Sequence, residues 1–207
     1  MNKGKKFEKM FKDSCEKTPN VTVIRFRDSA KWLKGKKSFF TPDNICDIQL
    51  YANGMLYLLE LKSTEGSNIS FNPKKPYEKP LNPNTKVMIK HNQVKNLMKF
   101  AEKRSVIPGF IINFREKKLK KIEYQDETYM IHINDFIKFA KESDKSSINR
   151  DDCKKIGIPI ASKKKKVNFE YDITYLINIS PKIFIDIGYM DKNEIDRIAK
   201  WLHSLIK

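Results

Sequence analysis

Asp47 and the tripeptide Glu60-Leu61-Lys62 are the residues whose types and spacing could do chemistry. Two alternating apolar runs, Ile45–Tyr51 and Met55–Lys62, flank Ala52-Asn53-Gly54, and Asn-Gly between such runs is a strong short-range signal for a two-residue hairpin turn. With Asn53 and Gly54 as the turn, Tyr51 faces Leu56, Gln49 faces Leu58 and Asp47 faces Glu60. Directly opposed side chains have Cβ atoms roughly 4.5–5.5 Å apart, and two like charges placed so destabilise the pair unless something neutralises them. A divalent cation would do this. Lys62 points to the same face as Glu60, while Leu59 and Leu61 point to the other and anchor the strand. Oxygen donors in this number suit Mg²⁺, with Mn²⁺ as a substitute, and leave positions for water and a phosphate. Such an ion lowers the pKa of a bound water, and an adjacent ammonium offsets developing charge, which together describe phosphodiester hydrolysis. The competing reading is a solvent-facing ion cluster on a sheet edge. Glu116-Lys117-Lys118 repeats the Glu-x-Lys spacing without an Asp placed opposite, and reads as a solvated turn.

The elements that must position these groups follow from periodicity. Phe7, Met10, Phe11 and Cys15 lie close to one helical face between Gly4 and Lys17, with Glu8 beside the stripe. Pro19-Asn20 ends that helix, and Val21–Phe26 reads as a β-branched strand. Gly66–Asn84, with Pro73, Pro76, Pro80 and Pro83, reads as a long loop. A helix over Lys90–Lys103, strands at Ile107–Phe114 and Tyr129–Ile133, and a short helix at Asp135–Lys141 follow. Beyond Ser143 the chain is polar until the apolar Ile156–Ile160, and a last helix is expected over Lys192–Lys207 with Trp201 on it. Helices interspersed with strands imply a mixed α/β domain.

Composition narrows the partner. The 207-residue chain carries a net charge of +17, with 40 % hydrophobic and 11 % aromatic residues, enough to build a core and to exclude global disorder. An excess of Lys and Arg points to a polyanion, since cations that meet phosphates release condensed counterions. The segment from Arg25 to Lys37 holds Arg25, Arg27, Lys31, Lys34, Lys36 and Lys37 against the single acid Asp28, with Trp32, Phe39 and Phe40 close by, and is the expected DNA-binding stretch. No apolar run is long enough to span a bilayer, and no basic helix with a bulky apolar stripe or lipidation motif favours a membrane surface, so a cytoplasmic protein is expected, in a bacterial cell or a phage-infected host. Cys15, Cys46 and Cys153 have neither zinc spacing nor an even count, and read as reduced thiols. His91 and His132 have no partner at ligand spacing and read as structural.

Asp47, twelve intervening residues and Glu60-Leu61-Lys62 resemble the PD-(D/E)xK nuclease signature, with Cys46 where the literal motif has Pro. The wider pattern is similar to the RecU-type Holliday junction resolvases: Asn2–Glu8 resembles their opening helix, Glu60–Thr64 their central motif, His91-Asn92-Gln93 their next helix and Gly109–Ile112 the strand after it. Gly157–Ile160 through Asp172-Ile173 is similar to the C-terminal end of that family. This resemblance implies a restriction-endonuclease-like mixed β-sheet flanked by helices, with a nuclease domain over 1–178 and a C-terminal helical extension, 179–207, packing on the domain or a dimer partner. It also implies a homodimeric Mg²⁺-dependent enzyme nicking four-way DNA junctions. Asp47 and Glu60 become metal ligands, Lys62 the catalytic lysine, Glu8 an acid at the metal and Gln93 a supporting polar group. The segment from Arg25 to Thr41 lies where that family places a junction-entering stalk but is short, and the loop after Lys62 is longer. Two alternatives stand beside this: the same nuclease chemistry on another DNA structure, and a non-catalytic DNA-binding protein on the same fold.

Overall fold

A computed structural model describes residues 3–25, 44–82, 84–118 and 123–178. In chain order the elements are α1 (Lys3–Lys17), β1 (Thr22–Arg25), β2 (Ile48–Ala52), β3 (Met55–Thr64), β4 (Asn68–Ser70), α2 (His91–Met98), β5 (Val106–Phe114), β6 (Lys117–Lys118), β7 (Glu123–Tyr124) and β8 (Glu127–His132). Then follow α3 (Ile133–Glu142), β9 (Ser147–Asn149), α4 (Arg150–Ile156), β10 (Ile158–Ile160), β11 (Ser162–Lys164) and β12 (Phe169–Tyr171), and residues 173–178 are helical. Six strands form one mixed sheet in the order β1-β2-β3-β5-β8-β10. Only β3 and β5 run parallel; the other neighbours are antiparallel. The fold is therefore α/β, with helices on both faces of a mixed sheet.

Strand alternation divides the core in two. On one face Ile48, Leu50, Leu59, Leu61 and Ile111 pack with Phe7 and Phe11 of α1 and with Tyr171. On the other, Leu58, Phe110, Ile112 and Ile131 pack with Val94 and Leu97 of α2 and Phe136 of α3. Phe7 and Phe11 are essentially inaccessible to solvent, and burial of each stabilises the docking of α1 by roughly 1.5–3 kcal/mol. Gly109 permits close approach of β5 to β8: a Cβ there would lie 2.4 Å from the carbonyl oxygen of Ile131. All three cysteines are buried and unpaired.

Several expectations need correction. The stretch 66–84 contains β4, which pairs with the distant β9, and its remainder is pinned by buried Ile69 and Phe71 and by Asn72 donating to the carbonyls of Lys75 and Glu78. Helix α2 stops at Met98 instead of Lys103, because the chain turns through 99–105 with Ser105 at φ 55°. The polar stretch after Ser143 contains α4, nucleated by reciprocal bonds: Asn149 Oδ1 accepts from the Asp152 N–H at 2.9 Å, and Asp152 Oδ2 from the Asn149 N–H at 3.2 Å. His132 has the structural role expected of it, as the N-cap of α3, its Nδ1 accepting the Asn134 N–H at 3.2 Å. The expected helix over 192–207 and the extension 179–207 lie outside the described residues.

Candidate active site

The hairpin register matches the expectation. Ile48 pairs with Leu59, Gln49 with Leu58, Leu50 with Tyr57, Tyr51 with Leu56 and Ala52 with Met55. Asn53 at φ 51° and Gly54 at φ 76° make the turn, a backbone conformation that Asn and Gly adopt most readily. Asn53 has a second role that turn chemistry does not reveal: its Nδ2 donates to the carbonyl of Ile177 at 3.2 Å and to Asn178 Oδ1 at 3.1 Å.

One step beyond Ile48 the regular ladder ends, and the Asp47 side chain takes over. Its Oδ2 accepts the Leu61 backbone N–H at 2.8 Å, which fixes the carboxylate beside Glu60. Glu60 is 5 % exposed and lies on the α2 side of the sheet. Lys62 Nζ donates to Glu60 Oε1 at 3.0 Å, and Gln93 Nε2 of α2 donates to the same oxygen. Gln93 is itself held, since its Oε1 accepts the Lys90 backbone N–H at 3.0 Å. Burial pushes the Glu60 carboxyl up to about 7, with the neighbouring ammonium of Lys62 opposing that rise and the negative charge and hydrogen bond of Asp47 adding to it. Two acids, one ammonium and one carboxamide thus converge. This is a charged centre and not a solvated edge: Lys62 keeps only 13 % of its side chain accessible and Glu60 only 6 %.

The donor set fits a hard divalent cation. Asp47 and Glu60 supply two neighbouring carboxylates, and Asp47 is oriented by a backbone amide. Glu8 is half-buried on α1, whose Phe7 and Phe11 pack on the face of the sheet away from Glu60, and among the described residues no three His, Cys, Asp or Glu side chains are placed to hold a metal together. Arg25 ends the edge strand β1, while Arg27, Lys31, Lys34, Lys36 and Lys37 lie outside the described residues.

Sequence reasoning missed one contributor, the Leu61 amide that orients Asp47, which carries no side-chain signal. Cys46, read as a reduced thiol, is a core residue at the site's edge, its Sγ donating to the Ile48 carbonyl at 3.2 Å. Burial, with Glu60 and Asp47 nearby, pushes that thiol up to about 12, so it remains protonated and inert.

A mixed α/β sheet carrying a facing Asp–Glu pair, a lysine two residues on and a glutamine from the next helix defines the class of site. No family model matches the chain. It is 29 % identical over 187 residues to the SPbeta prophage-derived uncharacterized protein YotM of Bacillus subtilis (strain 168), an alignment covering 84 % of this chain and 85 % of that protein. Among the described residues no helix is long and apolar enough to cross a membrane.

Proposed function

We propose that the protein is a divalent-metal-dependent DNA endonuclease, acting on branched DNA of the four-way-junction type. The observation that carries this reading is the convergence of Asp47, just before β2, with Glu60 and Lys62 of β3, and the bonding of Glu60 by both Lys62 and Gln93. Similarity to a prophage protein is in keeping with a phage origin, and the +17 net charge with a polyanionic substrate.

Asp47 and Glu60 would hold Mg²⁺ or Mn²⁺. When bound, the ion supplies a more acidic water and charge stabilisation at the phosphate. The residues of the chain do the rest. Asp47 is fixed by the Leu61 amide and Glu60 by Gln93, so neither carboxylate has to reorganise on reaction. Lys62, 3.0 Å from Glu60, directs its remaining N–H donors to the attacking water or a phosphoryl oxygen. In the hydrolysis one bond forms from water oxygen to phosphorus and one P–O ester bond breaks. The products are a phosphomonoester and a hydroxyl. A second copy of the chain, as the resolvase resemblance implies, would supply the second nick.

The test is incubation of purified protein with labelled four-way junction, linear duplex and single strand, with Mg²⁺ or EDTA, alongside Glu60→Ala. Mg²⁺-dependent cleavage of the junction, absent in the variant, is expected. Failure to cut any of the three substrates overturns the enzyme reading, and duplex cut as fast as junction overturns only the branched-DNA assignment.

A further inference from the structure

The β11–β12 hairpin and the outer side of α1 form one rigid basic surface that the site does not use. Its parts are locked together. Phe7 and Phe11 pack on Tyr171 with ring centroids 5.6 and 5.8 Å away, Tyr171 N–H donates to Ser14 Oγ at 3.0 Å, and Lys6 Nζ donates to the Val167 carbonyl at the hairpin tip at 3.0 Å. From this platform Lys5, Lys9, Lys163 and Lys166 project into solvent. None of the four is in an ion pair among the described residues, unlike Lys3, Lys12, Lys17, Lys164 and Lys165 nearby.

This arrangement opposes the stability of the fold. The first turn of α1 has no acid and carries Lys3, Lys5 and Lys6 at the positive end of the helix dipole, where anions stabilise and cations destabilise. Lys5 and Lys9 are four residues apart on one helical face, and a like-charged pair at that spacing costs roughly 0.2–0.5 kcal/mol. Four consecutive lysines, Lys163–Lys166, add to the repulsion. A surface charged against its own helix and held rigid beneath is matched by a polyanion with a regular charge spacing.

Its position ties it to the site. Lys3 at the start of α1 is ion-paired to Glu65, the residue after the end of β3, and Glu65 follows Lys62 by three residues, about 10 Å of extended chain. We propose that Lys5, Lys9, Lys163 and Lys166 form a DNA-backbone contact surface that grips duplex DNA on the α1 face of the sheet, opposite the face that carries Glu60. The surface rests on the nucleic-acid reading of the site and adds to it a second, sequence-independent contact on the other side of the sheet.

Fluorescence anisotropy of the full chain on uncut duplex in EDTA tests this without catalysis. The variant K5Q/K9Q/K163Q/K166Q is expected to bind roughly tenfold more weakly at 0.1 M salt, and the slope of log affinity on log salt to flatten by about 0.9 for each phosphate contact removed. A control with the same charge change on other exposed lysines, K79Q/K103Q/K138Q/K155Q, is expected to keep most of the wild-type slope. An unchanged slope in the first variant, or an equal loss in the control, overturns the surface. Wild type that binds phosphatidylglycerol vesicles and not DNA overturns it as well. Cleavage by wild type in Mg²⁺ is read separately, so loss of the nuclease reading and loss of the surface are distinguishable.

Discussion

Gln93 donates its side-chain amide to Glu60 while its own amide oxygen accepts the Lys90 backbone N–H, so the first turn of α2 is braced against the most buried acid of the site. Removing the carboxamide breaks both bonds at once. Gln93→Ala is expected to lower stability by about 1–2 kcal/mol, since a bond to a charged group and a helix-end contact are lost together. It should also raise the Mg²⁺ concentration needed for half-maximal cleavage. Urea unfolding and a Mg²⁺ titration of cleavage check the two effects.

Glu60→Gln and Asp47→Asn separate metal binding from folding. In wild type, Mg²⁺ at about a hundred times its Kd is expected to add about 2.7 kcal/mol of stability, read as a rise in Tm. Both variants should fold and lose that rise together with cleavage. A full Mg²⁺-induced Tm increase in Glu60→Gln would show that the ion binds elsewhere.

Lys62→Met addresses chemistry after binding. The methionine keeps most of the side-chain volume in a site where Lys62 is only 13 % exposed, but removes the ammonium from the phosphate position. Cleavage should fall by roughly 10²–10³-fold, the loss typical of removing one preorganised transition-state donor. The Mg²⁺-induced Tm rise should remain.

His132 makes stability fall as the solution is acidified. Burial holds this imidazole down at about 4, from an ordinary value of 6.5. Between those two values the unfolded chain binds a proton that the folded chain does not, so stability rises with pH in that window. The contribution is whole above pH 6.5 and is lost as pH falls toward 4, by up to about 3 kcal/mol. His132→Asn keeps an acceptor for the Asn134 N–H and should flatten the dependence; urea midpoints at pH 7.5 and 4.5 for both proteins check this.

Gly109→Ala tests the close contact of β5 and β8. The new Cβ would meet the Ile131 carbonyl oxygen at 2.4 Å and the Met130 side chain at 2.7 Å, and neighbouring backbone cannot yield without disturbing the central sheet. A loss of about 2–4 kcal/mol is expected, measured by thermal or urea unfolding.

What the sequence made legible was local. Asn53-Gly54 defines its own turn, the turn defines the pairing, and the pairing places Asp47 by Glu60, so the acidic pair could be read from a short stretch of chain. The resemblance singled out Gln93; residue spacing alone had no way to place it near Glu60, thirty-three residues earlier. Glu8 shows the limit in the other direction, because periodicity assigned it to a helix but could not say which face of the sheet that helix would cover. Pairing of β4 with β9 was illegible for the same reason: each is three residues long and finds its partner across the chain. Helix α4 was hidden because only Cys153 and Ile156 mark its apolar side, and its strongest signal is the reciprocal cap of Asn149 and Asp152.

The bonds from Asn53 to Ile177 and Asn178 span 124 and 125 residues. The turn that aligns the two acids is therefore not fully fastened until the ribosome has released nearly all of the described chain. During synthesis the amino-terminal part holds every acidic and basic group of the site before it holds the peg that secures them. A shortened product ending before Ile177 would carry the same chemistry on a looser frame.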